Sequence, residues 1–560
     1  MQPILGIIDP LSFLVVAPSL AALIMLLLPQ QKVLARWVAL ALSLGIGLVS
    51  VMVFAAYQSN PTPAEGMTYA FEVQVPWFEL LGASWHVGID GINATLVLLT
   101  GILVPLAILI SWEIEDRVNM HMALILFFQT GLMGVFVSLD LLVFFLFWEL
   151  SLVPMYFLIN QWGSPNRVYA STKFMIYSLG GSLGFLLATQ LVGWSVSQLP
   201  ADVVATLQQA NPALASYTAG TPSFDMVHLS YLWPEMTRVL GAGFLGIPIE
   251  TVKGLAFIAF FLAFAIKVPV WPFHTWLPDA HGEAPTAGSM LLAGVMLKLG
   301  AYGFLRLVIP LFPDVWVAPV DVLGAFQTNA AGIFAFLAML GVVLGAFAAF
   351  GQNDIKRLVA YSSVNHMGFV VMGLAVTAQV YGEMVVNGSS EMMQDAILAT
   401  NGAVLQMFNH GLSSAGMFLL AGAIYHKTHT RDMTQYGGFW VIAPIYGGIF
   451  IFTSMASLGL PGLNGFVVEF LVVRGAWPVF TTLTVLAMIG LLLTGSYILK
   501  GIRAVLLGPF NLHWRDYRLE IELREAIAIA PLMVLMLLTG IVPNWILPII
   551  NDSVTRMLGG

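Results

Sequence analysis

AFFLAFAIKVPVWPFHTWLP, residues 259–278, decides the architecture. Its first half is a continuous apolar run that carries one lysine, Lys267, with no polar neighbour in sequence. Pro269 and Pro272 follow, and each removes a backbone donor, so a helix must loosen beside the ammonium. An apolar segment that holds a charge next to a break is a membrane feature, and the rest of the chain reads the same way.

The 560 residues are 59% hydrophobic and 9% charged, against roughly 25% charged in a typical soluble domain. That excludes a water-soluble globular protein, a disordered chain and a nucleic-acid binder. Lys and Arg number 21 against 29 Asp and Glu, a net charge of -8, which supplies no basic surface for a phosphate backbone. Cysteine is absent, which excludes disulfides, Cys-ligated zinc, iron–sulfur clusters and c-type haem attachment. Any electron-transfer chemistry therefore belongs to another subunit.

A helix that crosses the hydrocarbon needs about 20 mainly apolar residues. Such runs occur at 4–28, 34–57, 90–112, 119–138, 141–160, 169–193, 251–273, 286–309, 328–350, 357–377, 398–424, 439–473, 478–500 and 526–549. The expected fold is an all-α polytopic membrane protein of about 14 transmembrane helices. The runs are continuous and do not alternate, which argues against a β-barrel. Residues 1–28 lack the charged start and cleavage site of a signal peptide and are expected to be a retained first helix.

Orientation follows the distribution of Lys and Arg. With both termini outside, the cytoplasmic loops hold Lys32, Arg36, Arg117, Arg167, Lys173, Lys356, Arg357, Lys427, Arg431, Lys500, Arg503, Arg515, Arg518 and Arg524, fourteen of the 21. The outer side then has only Arg238, Lys253, Arg474 and Arg556. Two outer segments, 194–249 and 378–397, are polar and are expected to be surface loops with short amphipathic pieces. Residues 501–525 carry mixed charge on the cytoplasmic side, as a solvated helix or a docking surface would.

Within the spans the informative residues are Glu149, Lys267, Lys298, His366, His410 and Glu469. Each formal charge at a helix centre costs about 2.5–3.5 kcal/mol on the insertion scale, and such residues mark ion or proton paths. Lys298 lies between Gly294 and Gly300, which permit close helix approach. Glu469 follows LGLPGLNGFVV, where Pro461 and its flanking glycines must interrupt a helix. Two broken helices with a charge beside each break point to a transporter built from inverted repeats. Burial favours the neutral form of both lysine and glutamate, and a nearby opposite charge favours the ionised form. A Glu149–Lys267 pair that closes and separates would thus hold and release a proton. The two histidines titrate near neutrality in water and suit the space between the lysines and Glu469. His274, His281, His426 and His429 fall in expected cytoplasmic loops. His426 and His429 lack a third metal ligand, so no metal site is expected. The FFLFW stripe at 144–148 is expected to face lipid or neighbouring helices.

Three stretches carry a resemblance: WELSLVPMYFLINQWG (148–163), KVPVWPFHTWLPDAHGEAPTAGSMLLAGVMLKLGAYGFLR (267–306) and DIKRLVAYSSVNHMGF (354–369). They resemble the antiporter-like membrane subunits of complex I, the NADH:quinone oxidoreductase. The resemblance implies two inverted five-helix repeats, with helices 7 and 12 broken. It divides the chain into N-terminal helices 1–3 with an outer loop at 1–118, a first repeat of helices 4–8 at 119–309, a second of helices 9–13 at 310–500 with helices from 328, and a cytoplasmic segment with helix 14 at 501–560. It also implies proton transfer by Glu149, Lys267, Lys298, His366, His410 and Glu469, and a place in the cell (inner) membrane. NAD, FMN, iron–sulfur clusters and quinone would lie on other subunits, and this chain would bind no cofactor. Glutamate at 469, with the wording around WELSLVPMY and NHGLSSAGMF, is similar to the chain M (subunit 4) branch. That branch implies chain L-like and chain N-like neighbours. The polar outer segments lengthen this chain beyond the usual pattern. A subunit of a multisubunit Na+/H+ antiporter, a ferredoxin- or hydrogenase-linked relative, and a scaffold for neighbouring subunits stay open as other readings.

Overall fold

The computed structural model describes residues 8–63, 67–78, 81–239, 246–322 and 326–559. Residues 4–7 of the first expected span and 240–245 of the first outer segment lie outside the described residues. Twelve described helices are long and apolar enough to cross a membrane, from Pro10–Leu27 to Leu523–Ile541. Met393–Thr428 is longer, at 36 residues, but it buries Asn401, Gln406, Asn409 and His410 and is correspondingly more polar. Pro444–Leu458 and Asn464–Val479 are two short helices separated by residues 459–463. These two additions to the twelve account for every expected span, in the expected order.

Ile355–Asn387 and Met393–Thr428 pack side by side, flanked by Ala330–Phe350 and Asn464–Val479. The span Thr286–Leu311 is the most enclosed, with 94% of its apolar window buried, whereas Thr481–Leu506 and Leu523–Ile541 reach only 33%. Those outer helices show Leu492, Ile527 and Val534 to the surroundings. An apolar solvent leaves such side chains unpenalised.

Two π-helical turns, Leu292–Met296 and Phe304–Val308, interrupt the enclosed span. Turns of this kind occur mostly as single bulges and are frequent at functional sites. Between them Gly300 touches the Lys267 helix. A methyl there would stand 2.8 Å from Phe264 O and 2.8 Å from Val268 N, so only glycine lets the two backbones meet.

Several parts outside the spans differ from expectation. Ala70–Phe78 and Ala83–Ile89 form an antiparallel hairpin, β1 and β2, where only a loop between the second and third spans is expected. A second small pair joins Pro319–Val322 to Phe326–Asn329. Segment 194–249 does hold short helices, Ala201–Ala210 and Met226–Val239. Segment 378–397 is not a surface loop: the flanking helices run into it and leave only residues 388–392 between them. Residues 507–522 form no long helix and fold back on the bundle. Glu520 accepts from the amides of Ile445 and Tyr446 at 3.0 and 2.7 Å, which satisfies donors at that helix start.

The hairpin is fastened by charge. His86 Nδ1 lies 2.9 Å from Asp225 and its Nε2 lies 2.9 Å from Glu72. Burial alone would lower the imidazole, but hydrogen bonds to the two carboxylates raise it to about 9. Nearby, Asp140 accepts from Ser84 N at 2.9 Å and caps the Glu149 helix through Leu142 N and Val143 N. Burial pushes Asp140 up to about 7.

Candidate proton-transfer row

Lys267 is the last residue of helix Ile249–Lys267. A helix end leaves carbonyls unpaired and concentrates partial negative charge there. Trp276, after the break, donates its indole N–H to Ile266 O at 2.9 Å. Helix Trp276–Glu283 then resumes the path.

The expected ion pair is not closed. No salt bridge joins Glu149 to Lys267, and neither Glu149 Oε1 nor Lys267 Nζ has a hydrogen-bond partner among the described residues. Lys267 Nζ instead lies 4.6 Å from the centroid of the Trp148 ring, a cation–π distance. The FFLFW stripe therefore does not simply meet lipid. Phe144, Phe147 and Trp148 are buried, and Trp148 donates to Ser182 Oγ at 3.1 Å. Trp148 is a site residue that the sequence reading missed, because an aromatic stripe at helical spacing reads as packing.

Lys298 is fully buried. It donates to Ala293 O, a carbonyl of the first π turn, and to His410 Nδ1 at 2.8 Å. His410 Nε2 is buried without a partner among the described residues. The His410 and His366 rings lie 5.8 Å apart. His366 Nδ1 then stands 3.3 Å from Glu469 Oε1, close enough to pair but not aligned as a hydrogen bond, and Tyr497 OH is 3.4 Å from His366 Nε2. Four of the six expected residues thus form one row, Lys298–His410–His366–Glu469. The two histidines are reversed relative to chain order, and among the described residues no hydrogen bond or ion pair joins Glu149 or Lys267 to the row.

Glu469 sits in the second turn of Asn464–Val479, against the break. Gly459 has φ +82°, and a methyl there would lie 2.6 Å from Glu469 Oε2. Asn409 and Asn464 stitch the break to the histidine helix by reciprocal side-chain to carbonyl bonds at 2.9 and 3.1 Å.

His281 is a correction. It lies in helix Trp276–Glu283 and is fully buried, not in a loop. PDAHGEAP reads as a turn because Pro, Asp and Gly cluster there. Its ring stacks on Phe418 at 4.5 Å, and neither ring nitrogen has a partner among the described residues. Lys298 and Lys356 are both within electrostatic reach of it. Lys356 also lines a cavity of about 240 Å³ with Ser111, Glu113, His121, Tyr425 and His426, at the basic end of the bundle. His426 belongs to the long helix Met393–Thr428 and its Nδ1 lies 3.6 Å from Glu113. No group of three or more metal-ligating side chains is found among the described residues.

Residues 138–232 and 244–494 match the family described as NADH:quinone oxidoreductase/Mrp antiporter, transmembrane. The NADH-quinone oxidoreductase subunit M of Pseudomonas aeruginosa is 37% identical over 95% of this chain and 93% of that protein. The subunit M of Escherichia coli is 35% identical over 92% and 91%. Among solved structures, a chain of respiratory complex I from Thermus thermophilus with bound NADH superposes with a TM-score of 0.76 at 25% identity, over 98% of this chain and all of that one. Fold and buried charges thus define an antiporter-like polytopic subunit. Within that class the chain belongs to the subunit M family of the NADH-quinone oxidoreductases.

Proposed function

We propose that this chain is the proton-translocating membrane subunit of a complex I-type NADH:quinone oxidoreductase, coupling electron transfer in other subunits to proton movement through buried Glu, Lys and His. The observation that carries it is the row from Lys298 through His410 and His366 to Glu469: 2.8 Å from Lys298 Nζ to His410 Nδ1, 5.8 Å between the two imidazole centroids and 3.3 Å from His366 Nδ1 to Glu469 Oε1. Acids and bases this close inside an apolar bundle have no cheaper explanation than exchange of protons among them.

The chemistry follows from the atoms. Lys298 gives a proton to His410 at Nδ1, and His410 releases one from Nε2 towards His366. An imidazole can do this because it accepts on one nitrogen while it donates from the other. His366 then protonates Glu469 through Nδ1. Upstream, Lys267 holds a proton over the Trp148 ring until Glu149 moves relative to it, and discharges towards Lys298. In this reading protons are taken up at the end that bears the basic loops, where His281 and the Glu113 cavity lie, and leave on the opposite side. Both termini then lie outside a cell (inner) membrane. The same reading divides the chain into two repeats, 119–309 and 310–500. It sets chain L-like and chain N-like subunits beside it, with NAD, FMN, iron–sulfur clusters and quinone on subunits elsewhere.

Lys267→Met and Glu149→Ala test this in the assembled complex. Protons pumped per electron should fall sharply in both while electron transfer sites stay intact. Unchanged stoichiometry in both removes these roles. Proton movement that follows a sodium gradient and ignores electron donors would instead favour the antiporter reading.

A further inference from the structure

On the other side of Lys298 the same span presents a second set of polar groups. Tyr302 and Arg306 follow Lys298 at four-residue steps, about 6 and 12 Å further along the helix. The Tyr302 hydroxyl donates to Phe136 O at 3.0 Å. The Arg306 side chain, 8% exposed, is ion-paired with Asp90. It lies between two aromatic rings, 5.5 Å from Tyr69 and 5.4 Å from Tyr302. Its Nε is buried without a partner among the described residues. Asp90 is fixed in turn, because its other oxygen caps helix Gly91–Ile110 through Ile92 N and Asn93 N at 2.9 and 3.1 Å. Beyond this cluster is a cavity of about 500 Å³, lined among others by Thr68, Tyr69, Asp90, Ser138, Tyr302 and Arg306.

We propose that Arg306, clamped by Asp90 and walled by Tyr69 and Tyr302, is a gate between Lys298 and this outer cavity, so that the first half of the chain has its own outer mouth. A guanidinium stays charged at any physiological pH, and a fixed arginine in a narrow pore repels protons and other cations. The pair therefore holds the cavity apart from the central lysine and stops outside protons from running back onto it. The second π turn, Phe304–Val308, includes Arg306 and gives the helix a place to shift by a fraction of a turn. Such a shift would swing the guanidinium off Asp90 and open the mouth.

This inference rests on the reading of Lys298 as a proton carrier. The experiment uses proteoliposomes that hold the whole complex, with passive proton leak and protons pumped per electron measured side by side. Asp90→Asn combined with Arg306→Gln removes both charges together, so no buried charge is left unpaired. It should raise the leak at least threefold and lower pumping, with electron transfer preserved. Tyr69→Leu, which removes one wall and spares the pair, should leak less than the double variant and more than wild type. Arg556→Gln, at the cavity rim, should not leak. Wild-type leak and stoichiometry in Tyr69→Leu and in the double variant overturn the gate, as does an equal leak in Arg556→Gln. Lys298→Met separates the two layers. If it leaves pumping intact, the carrier reading falls and the gate with it. If it stops pumping while the charge-neutral pair does not leak, only the gate falls.

Discussion

Lys298 and His410 are 112 residues apart in the chain, yet the lysine donates to His410 Nδ1 at 2.8 Å. The contact joins the enclosed span of the first half to the long polar helix of the second. It engages Nδ1 and leaves Nε2 without a partner among the described residues. A positioned proton-transfer group is worth about 10²–10⁴-fold in rate. Replacement of His410 by Gln should therefore slow coupled proton movement by on the order of 10²-fold in membrane vesicles, with the complex still assembled. Pumping at the wild-type rate would show that Lys298 hands its proton elsewhere.

Trp148 makes a sharper claim about the first half. Its ring faces the Lys267 ammonium at 4.6 Å, and a desolvated cation–π contact is worth about 2 kcal/mol. Trp148→Leu should weaken proton retention on Lys267 and depress pumping several-fold, while Trp148→Phe should recover most of the loss. Equal losses in the two variants would mean that the indole serves only Ser182 and the packing.

Much of this arrangement could be read in the sequence, and the exceptions have physical reasons. Hydrocarbon thickness imposes a length on every span, so all fourteen runs were visible, the break at Pro461 included. The order of the histidines was not visible, because it depends on which faces of Ile355–Asn387 and Met393–Thr428 turn towards Asn464–Val479. Trp148 was hidden because an aromatic beside a buried lysine looks like any other packed ring. His281 was hidden because one helical turn framed by Pro278 and Gly282 has the composition of a loop. The β1–β2 hairpin leaves no such mark, because strands of 9 and 7 residues are too short to register as spans.

Gly459 offers a backbone test. With φ +82° and Glu469 Oε2 in the space of any added methyl, Gly459→Ala should destabilise the break by about 1–2 kcal/mol and displace the carboxylate. The expected outcome is a lower melting temperature for the complex together with reduced pumping. A variant with unaltered pumping would show that Glu469 does not need that seat.

The β1–β2 hairpin should respond to pH. His86 is raised in the folded state to about 9 by its two carboxylates, from about 6.5 in an unfolded chain. The stability it contributes, at most roughly 3 kcal/mol, is fully present below pH 6.5 and is lost as pH rises through 9. Hydrogen exchange of Ala70–Ile89, corrected for intrinsic rates, should lose protection across that window in the wild-type complex. His86→Gln should remove the loss above about pH 8 and leave only the part near 7 that Asp140 contributes through Ser84. The same slope in both proteins would place the clamp elsewhere.

The most direct test of the central claim is the number of protons pumped per electron by the complex that carries Glu469→Gln, measured in sealed proteoliposomes. Glutamine keeps the shape and cannot take a proton from His366, so the account predicts a stoichiometry clearly below wild type in a fully assembled, electron-transferring complex. A wild-type stoichiometry would contradict it, because the row from Lys298 would then lead to a residue that protons do not need.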